Sequence, residues 1–173
     1  MQDHVDRIFE QWAVERRELD RSAMVALARI LRAARLVELE MGKVFSGFGL
    51  NRGEFDVLAS LRRAGAPYRL SPSDLSATLL LSTGAMTNRV DRLERALLAR
   101  RLPDPADRRG ILVELTRRGR GLVDRVLTSH VANEERILAG LSGDDREALA
   151  DLLRKLLVSL EEDQRDPANL AAG

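Results

Sequence analysis

The stretch from Leu70 to Leu115 constrains this chain most, because helix, turn, helix and hairpin signals follow one another in it without interruption. It reads LSPSDLSATLLLSTGAMTNRVDRLERALLARRLPDPADRRGILVEL. Ser71 suits an N-cap, with Pro72 at the first helical position and Asp74 in the first turn. A short helix bearing Leu75, Ala77, Leu79 and Leu80 is predicted after it. Ser82-Thr83-Gly84 breaks that helix, and either Ser82 or Thr83 can cap the next. Met86, Val90, Leu93 and Leu97 fall at i, i+4, i+7 and i+11, which is one apolar helical face. Two helices around a tight glycine-containing turn make a helix-turn-helix, whose second helix enters the DNA major groove. The turn-rich run Pro103 to Gly110 then leads into Leu112, Val113 and Leu115, a β-rich composition. A hairpin pairing Arg100–Leu102 with Ile111–Leu115 is expected, and it adds a wing.

The flanks read as helices. Asp3 can cap a first helix with Val5, Ile8, Phe9 and Trp12 on one face, ended by the charged run Glu15 to Arg21. A long helix from about Ser22 to Phe45 carries Ala23, Leu27, Ile30, Ala34, Val37, Met41 and Val44 in a four-three seam. Gly47-Phe48-Gly49 ends it. Asn51 caps the next helix, to Ala64, and Gly65-Ala66-Pro67 stops that one. Tyr68 to Leu70 is short enough for a single edge strand pairing with the wing. Thr116 caps a helix from Arg117 to about Ala139, and Asp144 to Glu161 forms the last. Its leucines at 149, 152, 153, 156, 157 and 160 exceed what a monomer of this size needs. The terminal helices are therefore expected to interlock between two subunits. The fold class expected is mainly α with a small β-wing: a winged helix-turn-helix with terminal helices forming a dimerisation region.

A formal net charge of +1 over 173 residues gives no global nucleic-acid signal. Its distribution does. From Ser82 to Gly121 there are ten arginines against five acids. A solvated surface would explain the cluster alone; its coincidence with the helix-turn-helix and wing favours DNA. No apolar run approaches the ~20 residues of a membrane span, no secretory segment opens the sequence, and a cytoplasmic location without membrane association is expected. Enzyme signatures are missing: there is no GxGxxG after a strand and no HExxH, and the histidines are only His4 and His130. His130 and Glu134 share a helix face, a spacing that suits two metal ligands but is far commoner at the edge of a core. No catalytic residue, metal site or cofactor is expected.

DPADRRG, a strand and then LTRRGR resemble the wing of MarR-type transcriptional regulators, at the expected distance from the helix-turn-helix. The resemblance covers roughly the whole chain. Within the family it is similar to the PecS and urate-responsive branch, through EFDVL, SPSDLS, GAMTNRVDRLE and an added N-terminal segment with Trp12. It implies a bacterial regulator. The absence of cysteine excludes the thiol-based peroxide sensing of some relatives. Members often carry a glycine before the wing, where this chain has Leu97, so a longer helix and a shifted wing are expected. The division expected is 1–48 N-terminal helices for effector binding and dimerisation, 49–116 winged helix-turn-helix, 117–163 C-terminal dimerisation helices, and 164–173 tail.

With its apolar face inward, the second helix offers Gly84, Asn88, Asp91 and Arg95 outward, with Thr87 and Arg92 on its flanks. Ser82, Thr83, Thr87 and Asn88 stand near the end that touches base edges, and Gly84 fits a close approach of backbone to DNA. Asn pairs with adenine and Thr packs on a thymine methyl; Arg92 and Arg95 suit phosphate or guanine. The resemblance implies that Asp104 or Asp107 pairs with an arginine to hold the wing, while Arg108 or Arg109 enters the minor groove. It also implies an effector site, since Trp12, Asp56, Arg89 and Arg101 match the urate-sensing positions. Urate, xanthine, a phenolic carboxylate or another small anion fits such a set. Plainer roles stay open: Trp12 as a docking anchor, Asp56 as a solvated neighbour of Arg52, Arg89 as a phosphate contact. The function expected is a homodimeric regulator of a pseudo-palindromic operator in double-stranded DNA, a repressor released by a small planar anion. An effector-independent architectural DNA-binding protein is the alternative, and an enzyme borrowing the fold ranks last.

Overall fold

Helix caps set most boundaries of the computed structural model, which describes residues 2–165. Asp3, Asn51 and Ser71 each close a capping box with the residue three positions on, Asp6, Glu54 and Asp74 respectively. They open α1 (His4–Glu15), α3 (Arg52–Arg63) and α4 (Pro72–Leu79). Between the first two lies α2 (Ser22–Gly47). Ser82 opens α5 (Thr83–Arg95) with its hydroxyl accepting from the Ala85 N–H at 3.4 Å. Thr116 opens α6 (Arg117–Ile137), accepting from the Gly119 N–H at 2.9 Å. Ser142 and Asp145 bond reciprocally at the start of α7 (Gly143–Arg165).

The strands are β1 (Arg69–Leu70), β2 (Ala99–Pro103) and β3 (Ile111–Leu115), in an antiparallel sheet of order β1-β3-β2. Arg100 lies opposite Glu114 and Leu102 opposite Leu112, and Ala99 and Pro103 extend the expected first strand by one residue at each end. Helices and sheet enclose one core: Phe45, Leu58, Leu61, Leu75, Met86, Val90, Leu93, Val113, Val123 and Val126 are each at most 1% exposed. Phe45 stacks on Phe55 with centroids 4.5 Å apart, and the His130 ring tilts against both. That packing accounts for a histidine at this position. Among the described residues no three metal-ligating side chains cluster, and no helix is long and apolar enough to cross a membrane.

Residues up to Asn133 form one compact unit and those from Glu134 a second. In the second, Arg146 bridges Glu135 at 2.6 Å and donates to the Leu138 carbonyl at 3.1 Å. The last helix runs past Glu161 to Arg165, so it takes in the start of the expected tail; residues 166–173 lie outside the described residues. At its other end α6 stops at Ile137, short of Ala139.

The expectation for Leu97 is overturned. The recognition helix does not lengthen to include it; it ends at Arg95, and Leu97 takes a left-handed φ of 59°. The Leu97 N–H donates to the Glu94 carbonyl and the Leu98 N–H to the Leu93 carbonyl, each at 2.9 Å. This is a Schellman closure. It turns Leu97 outward, 64% exposed, and buries Leu98 in the core place the helical period assigned to Leu97. The chain thus adopts the glycine conformation without the glycine. Replacing Leu97 by Gly relieves a left-handed strain of ~1–2 kcal/mol and costs ~0.5–1 kcal/mol in chain entropy. Leu97→Gly should therefore raise the unfolding free energy by about 0.5–1 kcal/mol; urea unfolding of both proteins, with unchanged slope, checks it.

Candidate nucleic-acid interface

The turn between α4 and α5 is built from backbone hydrogen bonds. Leu80 adopts φ 51° and donates to the Ala77 carbonyl, and Leu81 donates back to Ser76 at 3.0 Å. This closure ends α4 abruptly and delivers Ser82 to cap α5. Met86, Val90 and Leu93 are then buried against the core. The rest of the helix surface is fixed by that choice, since a helix with one face anchored cannot rotate. Ser82, Thr83, Gly84, Thr87, Asn88, Arg92 and Arg95 are all exposed on it. The Thr87 hydroxyl donates to the Thr83 carbonyl at 3.0 Å, and Arg95 Nε donates to the Asp91 carbonyl at 3.2 Å. A side chain added at Gly84 would meet nothing, so that spot is open to an approaching surface.

Arg108 and Arg109 are exposed at the wing tip. Among the described residues neither Asp104 nor Asp107 pairs with an arginine, contrary to expectation. Asp104 Oδ1 accepts from the Ala106 N–H at 2.8 Å and Asp107 Oδ1 from the Arg109 N–H at 2.9 Å. These are Asx turns, which shape the backbone and leave both guanidiniums unpaired among the described residues. Asp104 N–H closes the loop on the Gly110 carbonyl at 3.0 Å.

The four candidate effector residues separate. Asp56, on α3, lies half-buried with its carboxylate 4.0 Å from Arg52 Nε. Burial pushes its carboxyl above the ordinary aspartate range, against the opposing charges of Arg52, Arg89 and His130. Arg89 leaves the core face of α5 and lies against the start of α3: a methyl group at Gly53 would sit 2.5 Å from its Cζ. The structure therefore brings Asp56 and Arg89 into one electrostatic neighbourhood. Arg101 is engaged elsewhere. It bridges Asp91 at 2.7 Å and also pairs with Glu94, whose other oxygen accepts from the Arg101 N–H at 2.7 Å. Trp12 is 42% exposed on α1, which Arg29 ties to α2 through Asp3 and Asp6.

Two features escaped the sequence pattern. One is the clamp of Arg101 on Asp91 and Glu94, which fastens the first wing strand to the recognition helix; no periodicity announces a contact between a strand and the helix before it. The other is the α3 N-terminus. Asn51 and Gly53 line a groove with Asn88, Arg89, Arg92 and Arg95, and Glu54 stands 3.8 Å from Arg92. The Asn51 cap was read from the sequence, but its closure with Glu54 and its place beside the arginines of α5 were not.

Against known proteins, a family model described as MarR family matches residues 48–110. The chain is 40% identical over 152 residues to the HTH-type transcriptional regulator PecS of Dickeya dadantii (strain 3937), covering 88% of this chain and 92% of that protein. Its fold is similar to that of AbsC, a MarR family transcriptional regulator from Streptomyces coelicolor (TM-score 0.76, 27% identity, 83% of this chain and 97% of that one). It is also similar to a mutant MarR from E. coli complexed with operator DNA (TM-score 0.69, 27% identity, 79% and 97%).

The raised Asp56 carboxyl has a consequence for stability. The folded state holds this proton more tightly than the unfolded chain does, so the ionised group costs stability above its folded pKa. The cost shrinks as pH falls through that value and is gone below the unfolded pKa of about 3.9. Asp56→Asn should melt at a higher temperature than the parent at pH 7, and the gap should close on acidification. Melting curves of both proteins across this range check it.

Proposed function

The chain belongs to the MarR family of transcriptional regulators, and we propose that it acts as a homodimeric repressor that reads a pseudo-palindromic operator and releases it on binding a small planar anion. One observation carries the DNA-reading part: every polar residue assigned to DNA from the sequence is exposed, on the outward surface of α5 or at the wing tip. Thr83, Thr87 and Asn88 occupy the N-terminal half of α5, the part that reaches base edges in the major groove. Asn88 makes no hydrogen bond within the described residues, so both ends of its amide are available to adenine. Arg108 and Arg109 reach from the wing, where a narrow minor groove attracts arginine.

Dimerisation is supported by the apolar surface that each unit leaves uncovered. No described residue of α7 is buried, and Leu149, Leu152, Leu157 and Leu160 are exposed. Leu27, Leu31, Leu36 and Leu39 are exposed along α2. Exposed apolar side chains in this number suit burial against a second subunit. Two recognition helices spaced ~34 Å apart then meet successive major grooves. Sedimentation should find a dimer at micromolar concentration; a folded monomer there overturns the assembly.

Release is the finer part of the proposal. An anion drawn to Arg89 approaches Asp56 as well, and two like charges in a half-buried place repel. Arg89 lies between α3 and α5, so drawing it away from Gly53 disturbs the seat of the recognition helix. The likeness to PecS and the match of Trp12, Asp56, Arg89 and Arg101 to the urate-responsive branch support this reading. DNA must then weaken the anion by the same factor as the anion weakens DNA.

Operator titrations test both parts. Asn88→Ala and Arg92→Ala should each cost ~1–3 kcal/mol of specific binding with the dimer intact. Arg109→Ala should weaken binding evenly across sequences and flatten its salt dependence. Operator affinity untouched by all three changes would place the DNA surface elsewhere. Urate and a phenolic acid should release the parent protein at lower concentration than they release Trp12→Phe. Equal release of both proteins rejects the effector site, and no release or melting shift with any such anion favours the architectural reading.

A further inference from the structure

The base of the wing, at the opposite end of the strands from the tip, gathers a second group of arginines. Because β1 and β2 flank β3, Arg69 and Arg100 both stand opposite Glu114 in the register. Glu114 is 9% exposed, with Oε2 lying 3.2 Å from Arg69 Nη2 and Oε1 accepting from Arg100 Nε at 3.0 Å. One carboxylate thus answers two guanidiniums. Arg117 and Arg120, from the first turn of α6, line the same cleft, and neither has a carboxylate partner among the described residues. Tyr68 forms a wall, its ring centroid 5.4 Å from the Arg120 guanidinium. Its backbone is fixed by the Leu115 N–H, which donates to the Tyr68 carbonyl at 3.0 Å. Arg69 Nε is buried and has no hydrogen-bond acceptor among the described residues. The cleft measures about 420 Å³.

We propose that this cleft binds a small phosphate-type oxyanion free in solution. Four guanidiniums around one carboxylate leave an excess of positive charge that a single carboxylate ligand does not balance. A phosphate group brings more charge and several acceptor oxygens, matched to the forked donors of arginine. A DNA backbone carries the same group. The free anion is favoured by position, because the wing tip lies a whole five-residue strand away, ~3.3 Å per residue. The site shares no residue with Trp12, Asp56, Arg89 and Arg101, so it stands or falls independently of the effector reading.

Titration calorimetry of the full chain, at constant ionic strength in chloride buffer, tests it with inorganic phosphate and pyrophosphate as probes. Saturable binding is expected in the parent protein. The double variant Arg117→Gln, Arg120→Gln should weaken it about tenfold or more, roughly 1.4 kcal/mol, and Arg117→Gln alone should fall between the two. Operator affinity and its salt slope should stay unchanged in the double variant, which also shows that the fold survives. Absence of binding in the parent, or equal binding in parent and variant, overturns the proposal. So does a double variant that loses operator affinity and salt slope instead, because the cleft then serves the DNA backbone.

Discussion

The junction at Leu97 and Leu98 holds the recognition helix, the wing and α6 in one geometry. Leu98 is buried and closes the end of α5, while its carbonyl accepts from the Thr116 N–H at 3.1 Å. The Thr116 hydroxyl donates to the Leu97 carbonyl at 2.8 Å and accepts from the Gly119 N–H. One threonine therefore ties the entry of β2 to the exit of β3 and starts α6. The approach is close enough to require glycine: a methyl group at Gly119 would lie 2.0 Å from the Leu98 carbonyl oxygen. With these backbones locked, α5 and the wing cannot move independently, and the Arg101 clamp on Asp91 and Glu94 adds a second fastening on the same side.

Pairing decides what the many arginines do. Arg62 is spent on Asp124 at 2.8 Å, Arg101 on the acids of α5, and Arg69 and Arg100 share Glu114. Arg108 and Arg109 are exposed and form no such pair among the described residues. The near-neutral total charge hides this division, because acids such as Asp91, Glu94, Glu114 and Asp124 neutralise structural arginines. Only the unpaired remainder generates a field at the surface, and it does so at the wing tip, along α5, and at the cleft beside Tyr68. The arginine-rich run from Ser82 to Gly121, read as one DNA-facing patch in sequence, is two patches in space. The reversal of the chain between β2 and β3 carries Arg108 and Arg109 away from Arg117 and Arg120.

The apolar residues divide in a comparable way. Those from Phe45 to Val126 that face inward complete one core. The long helices outside it leave their leucines uncovered: Leu31 on α2 and Leu152 on α7 are 71% and 65% exposed. Burial of such surface is what a second subunit offers. The proposed dimer would therefore complete the hydrophobic economy of the chain and also set the distance between recognition helices, linking stability to operator spacing.

Local chemistry made much of this architecture legible from the sequence. Asp3, Asn51, Ser71 and Thr116 announce helix starts because their side chains satisfy the free N–H groups of the first turn, an interaction contained within a few residues. The inward face of α5 followed from period alone, and with it the outward set of Thr87, Asn88, Arg92 and Arg95. The hairpin followed from a β-rich run after a turn-rich one, while its register was decided by the fold. Leu97 went astray because the helical period assigned it to the core, whereas the buried closure on Leu98 ended the helix first. The partners of Arg101, Asp104 and Arg89 were likewise decided only in three dimensions. An ion pair, an Asx turn and a guanidinium laid on Gly53 each depend on which backbones meet, and the chain fold, not the sequence spacing, sets that meeting.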